Sequence, residues 1–95
     1  MLTIWKYKLE LTDKQLIAVP KPAIFLSAQN QYETLKLYYM VDSDNNCPAK
    51  ASKFMIYIVG TGNPLPDFSI KTTYLGTVSM RGGSLVWHIY SEPYE

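Results

Sequence analysis

Ninety-five residues suffice for one compact domain and not for two, since single cores usually organise about 100 to 150 residues; residues 1–95 are read as a single domain. Nine basic and eight acidic side chains leave a formal charge of +1 and are scattered along the chain, which argues against nonspecific DNA or RNA binding, a mode that draws its affinity from neutralising several phosphates. Hydrophobic residues at 47% against charged residues at 18% exclude a disordered composition, while the lone Cys47 excludes an intramolecular disulfide and a cysteine zinc site.

A single cysteine also favours a reducing compartment. The longest apolar runs, such as residues 54–59, are strand-sized and far short of the roughly 20 residues that cross a bilayer. Residues 1–6 lack the charge and hydropathy order of a secretory signal. The expectation is a cytosolic protein without a membrane partner.

In the first segment Thr3, Trp5, Tyr7, Leu9 and Leu11 alternate with Lys6, Lys8 and Glu10, the period of a strand with one dry face. Thr12, Asp13 and Lys14 read as a turn, after which residues 15–19 pair back as a short second strand. Pro20 and Pro22 then interrupt the ladder, which places this strand at an edge. Residues 23–29 and 35–41 form two strands joined across residues 30–34. Leu35, Leu37, Tyr39 and Val41 alternate with Lys36, Tyr38 and Met40, so both faces of the second are bulky, which suggests a central strand or a face covered by a partner.

Residues 42–51 are polar and turn-forming, hence an exposed loop. The most apolar strand, 54–59, follows and is predicted to be central. Residues 60–67 make a second long loop. Residues 73–80 and 84–90 form a hairpin around Arg81, Gly82 and Gly83, whose glycines supply the positive φ angles of the turn. The sum is an all-β, mainly antiparallel sandwich or roll of six to seven strands with at most one short helix.

Ile4-Trp5-Lys6-Tyr7, the run Tyr57-Ile58-Val59-Gly60-Thr61-Gly62-Asn63-Pro64, and Tyr74-Leu75-Gly76-Thr77-Val78 with Gly82-Gly83-Ser84-Leu85-Val86-Trp87-His88 together resemble a family of short, mostly uncharacterised tailed-phage proteins. The similarity spans most of the chain in the same order and is loose over residues 21–53. It implies a phage origin and expression in the host bacterial cytoplasm. It brings no catalytic residue, and Asn63 stands where the family carries histidine.

Asp42, Asp44 and Asn46 have the spacing that opens a calcium loop, but Cys47 and Lys53 occupy the positions where that loop needs glycine and a bidentate glutamate. An ordinary solvated turn is the favoured reading. Gly60, Thr61, Gly62 and Asn63 offer consecutive backbone donors for an anion, with Lys71 or Arg81 adding charge; a turn with glycines at positive φ is the simpler alternative. His88, the sole histidine, has no partner named by the sequence and is read as packed or partner-contacting. Tyr38, Tyr57, Tyr90 and Tyr94 fall on faces opposite the driest ones and belong either to a protein interface, together with His88, or to a second layer of core.

No catalytic residue, cofactor or metal is assigned. The leading expectation is a non-catalytic phage accessory or anti-defence protein that binds and modulates a host protein, with homodimerisation or a higher homo-oligomer as one way to cover excess apolar surface. A sponge for a nucleotide signal and a minor virion component are the alternatives.

Overall fold

A computed structural model describes residues 1–94. Seven strands follow one another: β1 (Leu2–Lys8), β2 (Lys14–Val19), β3 (Ile24–Gln31), β4 (Thr34–Asp42), β5 (Ser52–Gly60), β6 (Thr73–Met80) and β7 (Leu85–Pro93), with 3-10 turns at Pro48–Lys50 and Arg81–Gly83. Every pairing is antiparallel. The strands build two sheets, β1-β4-β3 and β2-β5-β7-β6, so the architecture is the expected all-β sandwich.

Alternation decides what is buried. From β4, Leu35, Leu37, Tyr39 and Val41 point inward, and from β5 and β7 Ile56, Ile58 and Ile89 meet them. Tyr39 is the hub: its ring lies edge-on to Tyr7 at 5.8 Å and Phe25 at 5.5 Å within its own sheet, and stacks across the sandwich on Phe54 of β5 at 5.9 Å. Both β4 and β5 are interior strands, in keeping with their two bulky faces.

The β3-β4 hairpin turns on Tyr32 and Glu33, with φ of 51° and 60°, a pair of positive values matching the twist of the flanking strands. Asn30 Oδ1 accepts from the Glu33 amide at 2.8 Å, and Glu33 Oε1 accepts from the Arg81 amide at 2.9 Å. This ties the β3-β4 tip to the β6-β7 tip and closes one side of the sandwich. At the same seam Gly76, φ 152°, sits where an added Cβ would stand 3.6 Å from the Ala28 Cβ.

Two expectations fail. Residues 15–19 do not pair back on β1; β2 pairs with β5 in the opposite sheet. The segment between them is a crossing: Leu9 donates its amide to Leu35 O at 2.9 Å in the small sheet, and Asp13 O accepts from the Ile58 amide at 3.2 Å in the large one. Leu11 lies within that crossing and is exposed, because alternation has no meaning beyond the end of β1 at Lys8. The edge position of β2 is as predicted.

Asp42 and Asp44 lie in the expected exposed turn and meet the chain's first residue there. Both carboxylates accept from the Met1 ammonium, at 2.7 and 2.5 Å. Those hydrogen bonds, that to Asp42 first, raise the amine's pKa above its ordinary value, and the same contact lowers that of Asp42.

Tyr39 is 2% exposed, and burial pushes its phenol up to about 12 from 10.0. The folded chain therefore keeps this proton where an unfolded tyrosine has lost it. The resulting stability is intact below pH 10 and declines as pH rises from 10.0 towards about 12. Denaturant midpoints measured across that window should fall more steeply for the parent chain than for Tyr39→Phe; equal slopes would remove the effect.

Candidate functional site

β5 and β6 run in the same direction with β7 between them, so residues 61–72 must carry the chain from one end of the large sheet to the other. They do so across its outer face. Phe68 from this segment packs on Tyr57 at 5.4 Å and on Tyr90 at 4.7 Å, and Tyr90 in turn lies 5.3 Å from Tyr74. The result is an aromatic band drawn from β5, the crossing segment, β7 and β6.

Register explains the band. Tyr57 pairs with Tyr90, and Tyr90 with Tyr74, so the three share one row of the outward face. Two residues along β7, His88 occupies the row formed with Thr77 of β6 and Val59 of β5. Its Nδ1 is 2.9 Å from Thr77 Oγ1 and its Nε2 is 2.7 Å from Thr61 Oγ1. Tyr74 OH meets Thr77 Oγ1 in turn. A chain of hydroxyls and one imidazole thus runs Tyr74, Thr77, His88, Thr61.

The other end of the band is anchored by Glu92. Its Oε1 accepts from Ser69 Oγ at 2.7 Å and its Oε2 from Tyr57 OH at 3.4 Å. Partial burial, and then the Glu92 carboxylate, raise the Tyr57 phenol above its ordinary pKa. Ser69 Oγ also accepts from the Lys71 amide at 3.1 Å, which fixes the descent of the segment into β6.

Of the residues singled out in the sequence, the structure gathers Tyr57, Tyr90 and His88 on this face together with Thr61. Tyr38 lies on the outer face of the other sheet, paired with Lys6 and Ser27. Tyr94 follows β7, its amide donating to Lys53 O at 2.9 Å. Gly60 ends β5, and Thr61, Gly62 and Asn63 turn away from it, while Lys71 stands at the opposite end of the crossing segment. Arg81 is in the β6-β7 turn, at the same end of the sheet as Gly60.

Two of the loop amides are engaged within the fold: Thr61 donates to Val86 O at 3.3 Å and Asn63 to Gly60 O at 3.1 Å. Beside them is a cleft of about 310 Å³ lined by Asp13, Ile58, Gly60, Pro64, Pro66 and Trp87, among others. Gly60 leaves room there, since an added Cβ would come within 3.0 Å of Asn63 Nδ2 and 3.4 Å of the Trp87 ring. Trp87 Nε1 is buried without a hydrogen-bond acceptor.

Chemically, the chain of groups presents hydrogen-bond donors and acceptors beside flat apolar rings. The partners of His88 are hydroxyls, whereas a hydrolytic triad orients its imidazole with a carboxylate or amide. Among the described residues, no three histidine, cysteine or acidic side chains are placed to hold a metal, and no helix is long and apolar enough to cross a membrane.

Five residues of the face, Phe68, Ser69, Tyr74, Thr77 and Glu92, are not among the site residues the sequence points to. Tyr74 and Thr77 were reachable from the hairpin pairing that places them beside Tyr90 and His88. Phe68 carried no signal, because it sits outside any periodic segment.

The chain matches, over residues 1–95, the model of a domain of unknown function, DUF7352, and it belongs to that family. Nothing among the curated proteins or the solved structures matches it.

Phe68 is the contact that pins the crossing segment to the sheet. Phe68→Ala should cost about 1–2 kcal/mol, below the roughly 3–5 kcal/mol of a core phenylalanine, because the ring is only half-buried. Amide hydrogen exchange should quicken over residues 61–72 and stay unchanged in β4 and β5. Unchanged exchange in the segment would show that other contacts hold it.

Proposed function

We propose that this DUF7352 protein is a small phage accessory protein of the anti-defence kind, which binds a host bacterial protein and alters its activity without catalysis of its own. The observation that carries the reading is the outer face of the large sheet. Tyr74 is 55% exposed there, continuous with Tyr90, Phe68 and Tyr57 and flanked by the His88 hydroxyl chain. Tyrosine brings large contact area and a polar tip at small rotamer cost, and such rings dominate the centres of protein interfaces. The Tyr39-centred core lies on the other side of this sheet, which leaves the face available for contact. The phage setting rests on the resemblance of the Ile4-Trp5-Lys6-Tyr7 strand, the Gly60 loop and the closing hairpin.

Immobilised chain should retain one host protein reproducibly from bacterial lysate. Tyr74→Ala should weaken that capture at least tenfold, about 1.4 kcal/mol, with the fold retained by circular dichroism, since Tyr74 lies outside the core. Repeated capture of nothing above a blank support would contradict the reading, and so would capture indifferent to Tyr74.

The cleft beside Trp87 favours a second reading, sequestration of a nucleotide signal, because its volume of about 310 Å³ lies at the lower bound of ligand pockets and an indole face is a stacking surface for a base. The charged side chain in its lining is Asp13, which repels phosphate, and this ranks the reading second. In a thermal-shift series, a nucleotide at 100 times its Kd should add about 2.7 kcal/mol of stability. No shift across cyclic and adenine-containing nucleotides would remove it.

A further inference from the structure

The small sheet has an outer face of a different kind. Ile4 of β1, Met40 of β4 and Ile24 of β3 form one row straight across its three strands. Leu2 flanks the row, and Leu26, at the irregularity in β3, lies close by. Leu2 is 61% exposed, Ile4 60%, Ile24 45% and Leu26 46%. Among the described residues nothing crosses that face as residues 61–72 cross the other, and contiguous apolar patches on soluble domains mark contact sites.

Charge along the face is polarised. On one side of the apolar row lie Asp42 and Asp44, sharing the Met1 ammonium. On the other side lie Lys6 with Tyr38, then Lys8 with Lys36. Two sheets packed face to face about a two-fold axis that lies between them, perpendicular to the strands and level with Met40, run antiparallel. The apolar rows then meet, and the acidic end of each copy is set on the basic end of the other. The face is self-complementary under that one operation, as an isologous interface requires.

We infer that this face is the interface of a homodimer, with Ile4, Met40 and Ile24 of one copy against the same residues of a second, and with Asp42 and Asp44 opposite Lys6, Tyr38 and Lys36. Three strands of seven or so residues give a flat footprint of roughly 15 by 24 Å, smaller than the ~800 Å² that each partner buries in a standard interface. The dimer is accordingly weak and concentration-dependent. It occupies the sheet opposite the aromatic band and is independent of the function proposed for that band.

Sedimentation velocity on the full chain from micromolar to millimolar concentration tests it. The parent should pass from monomer to dimer, and Ile4→Lys should raise the dissociation constant at least tenfold without changing the melting temperature. Lys36→Asp and Asp44→Lys should each weaken association. Mixed in equal amounts they should associate more tightly than either alone, because only the mixed pair restores opposite charges at both ends. A parent that stays monomeric at millimolar concentration, as it would if another protein occupied the face, overturns the inference. A dimer indifferent to Ile4→Lys, or a mixture no tighter than its components, overturns it equally.

Discussion

The strand order of the large sheet constrains everything that follows. β5 and β6 are parallel to one another but separated by β7, and parallel strands need a connection of a dozen or more residues. Residues 61–72 are that connection. Because the inner face of the sheet is filled by the Tyr39-centred core, the connection runs outside, and its route sets Phe68 on Tyr57 and Tyr90 and Thr61 on His88. The candidate binding face is thus a product of connectivity as much as of the strands beneath it.

The two outer faces of the sandwich have diverged for the same reason. On the large sheet the crossing segment sets Phe68 against Tyr57 and Tyr90 and supplies Thr61 as one of the two partners of His88, leaving Tyr74 as the most open ring of the band. On the small sheet β1, β4 and β3 carry their outward side chains uncovered, and the exposed Leu2, Ile4, Ile24 and Leu26 remain beside Met40. One face presents aromatic rings and hydroxyls. The other presents an apolar row between ends of opposite charge.

Much of the fold was legible because strand alternation is local. Trp5 and Tyr7 facing in, β4 and β5 at the centre of their sheets, and the Gly82-Gly83 turn all follow from spacing within a few residues. The partner of β2 was not legible. The Thr12-Asp13-Lys14 turn signal is the same whether the chain doubles back on β1 or steps across the sandwich, and only the burial of Leu9 and the Ile58 to Asp13 hydrogen bond decide it. For the site, outward tyrosines and His88 were visible as alternation on β5 and β7. Phe68 was not, because a side chain on an aperiodic segment acquires its place only from strand order. Lys71 was set beside the Gly60 loop by composition alone, and the crossing puts the two at opposite ends.

The path of residues 61–72 over the large sheet decides the make-up of its outer face, and side-chain nuclear Overhauser effects report that path in solution. Phe68 ring protons should show cross-peaks to both Tyr57 and Tyr90, and the His88 imidazole to the methyl groups of Thr61 and Thr77. A Phe68 ring without contacts to β7, alongside intact cross-peaks between Tyr39 and Phe54 in the core, would contradict it.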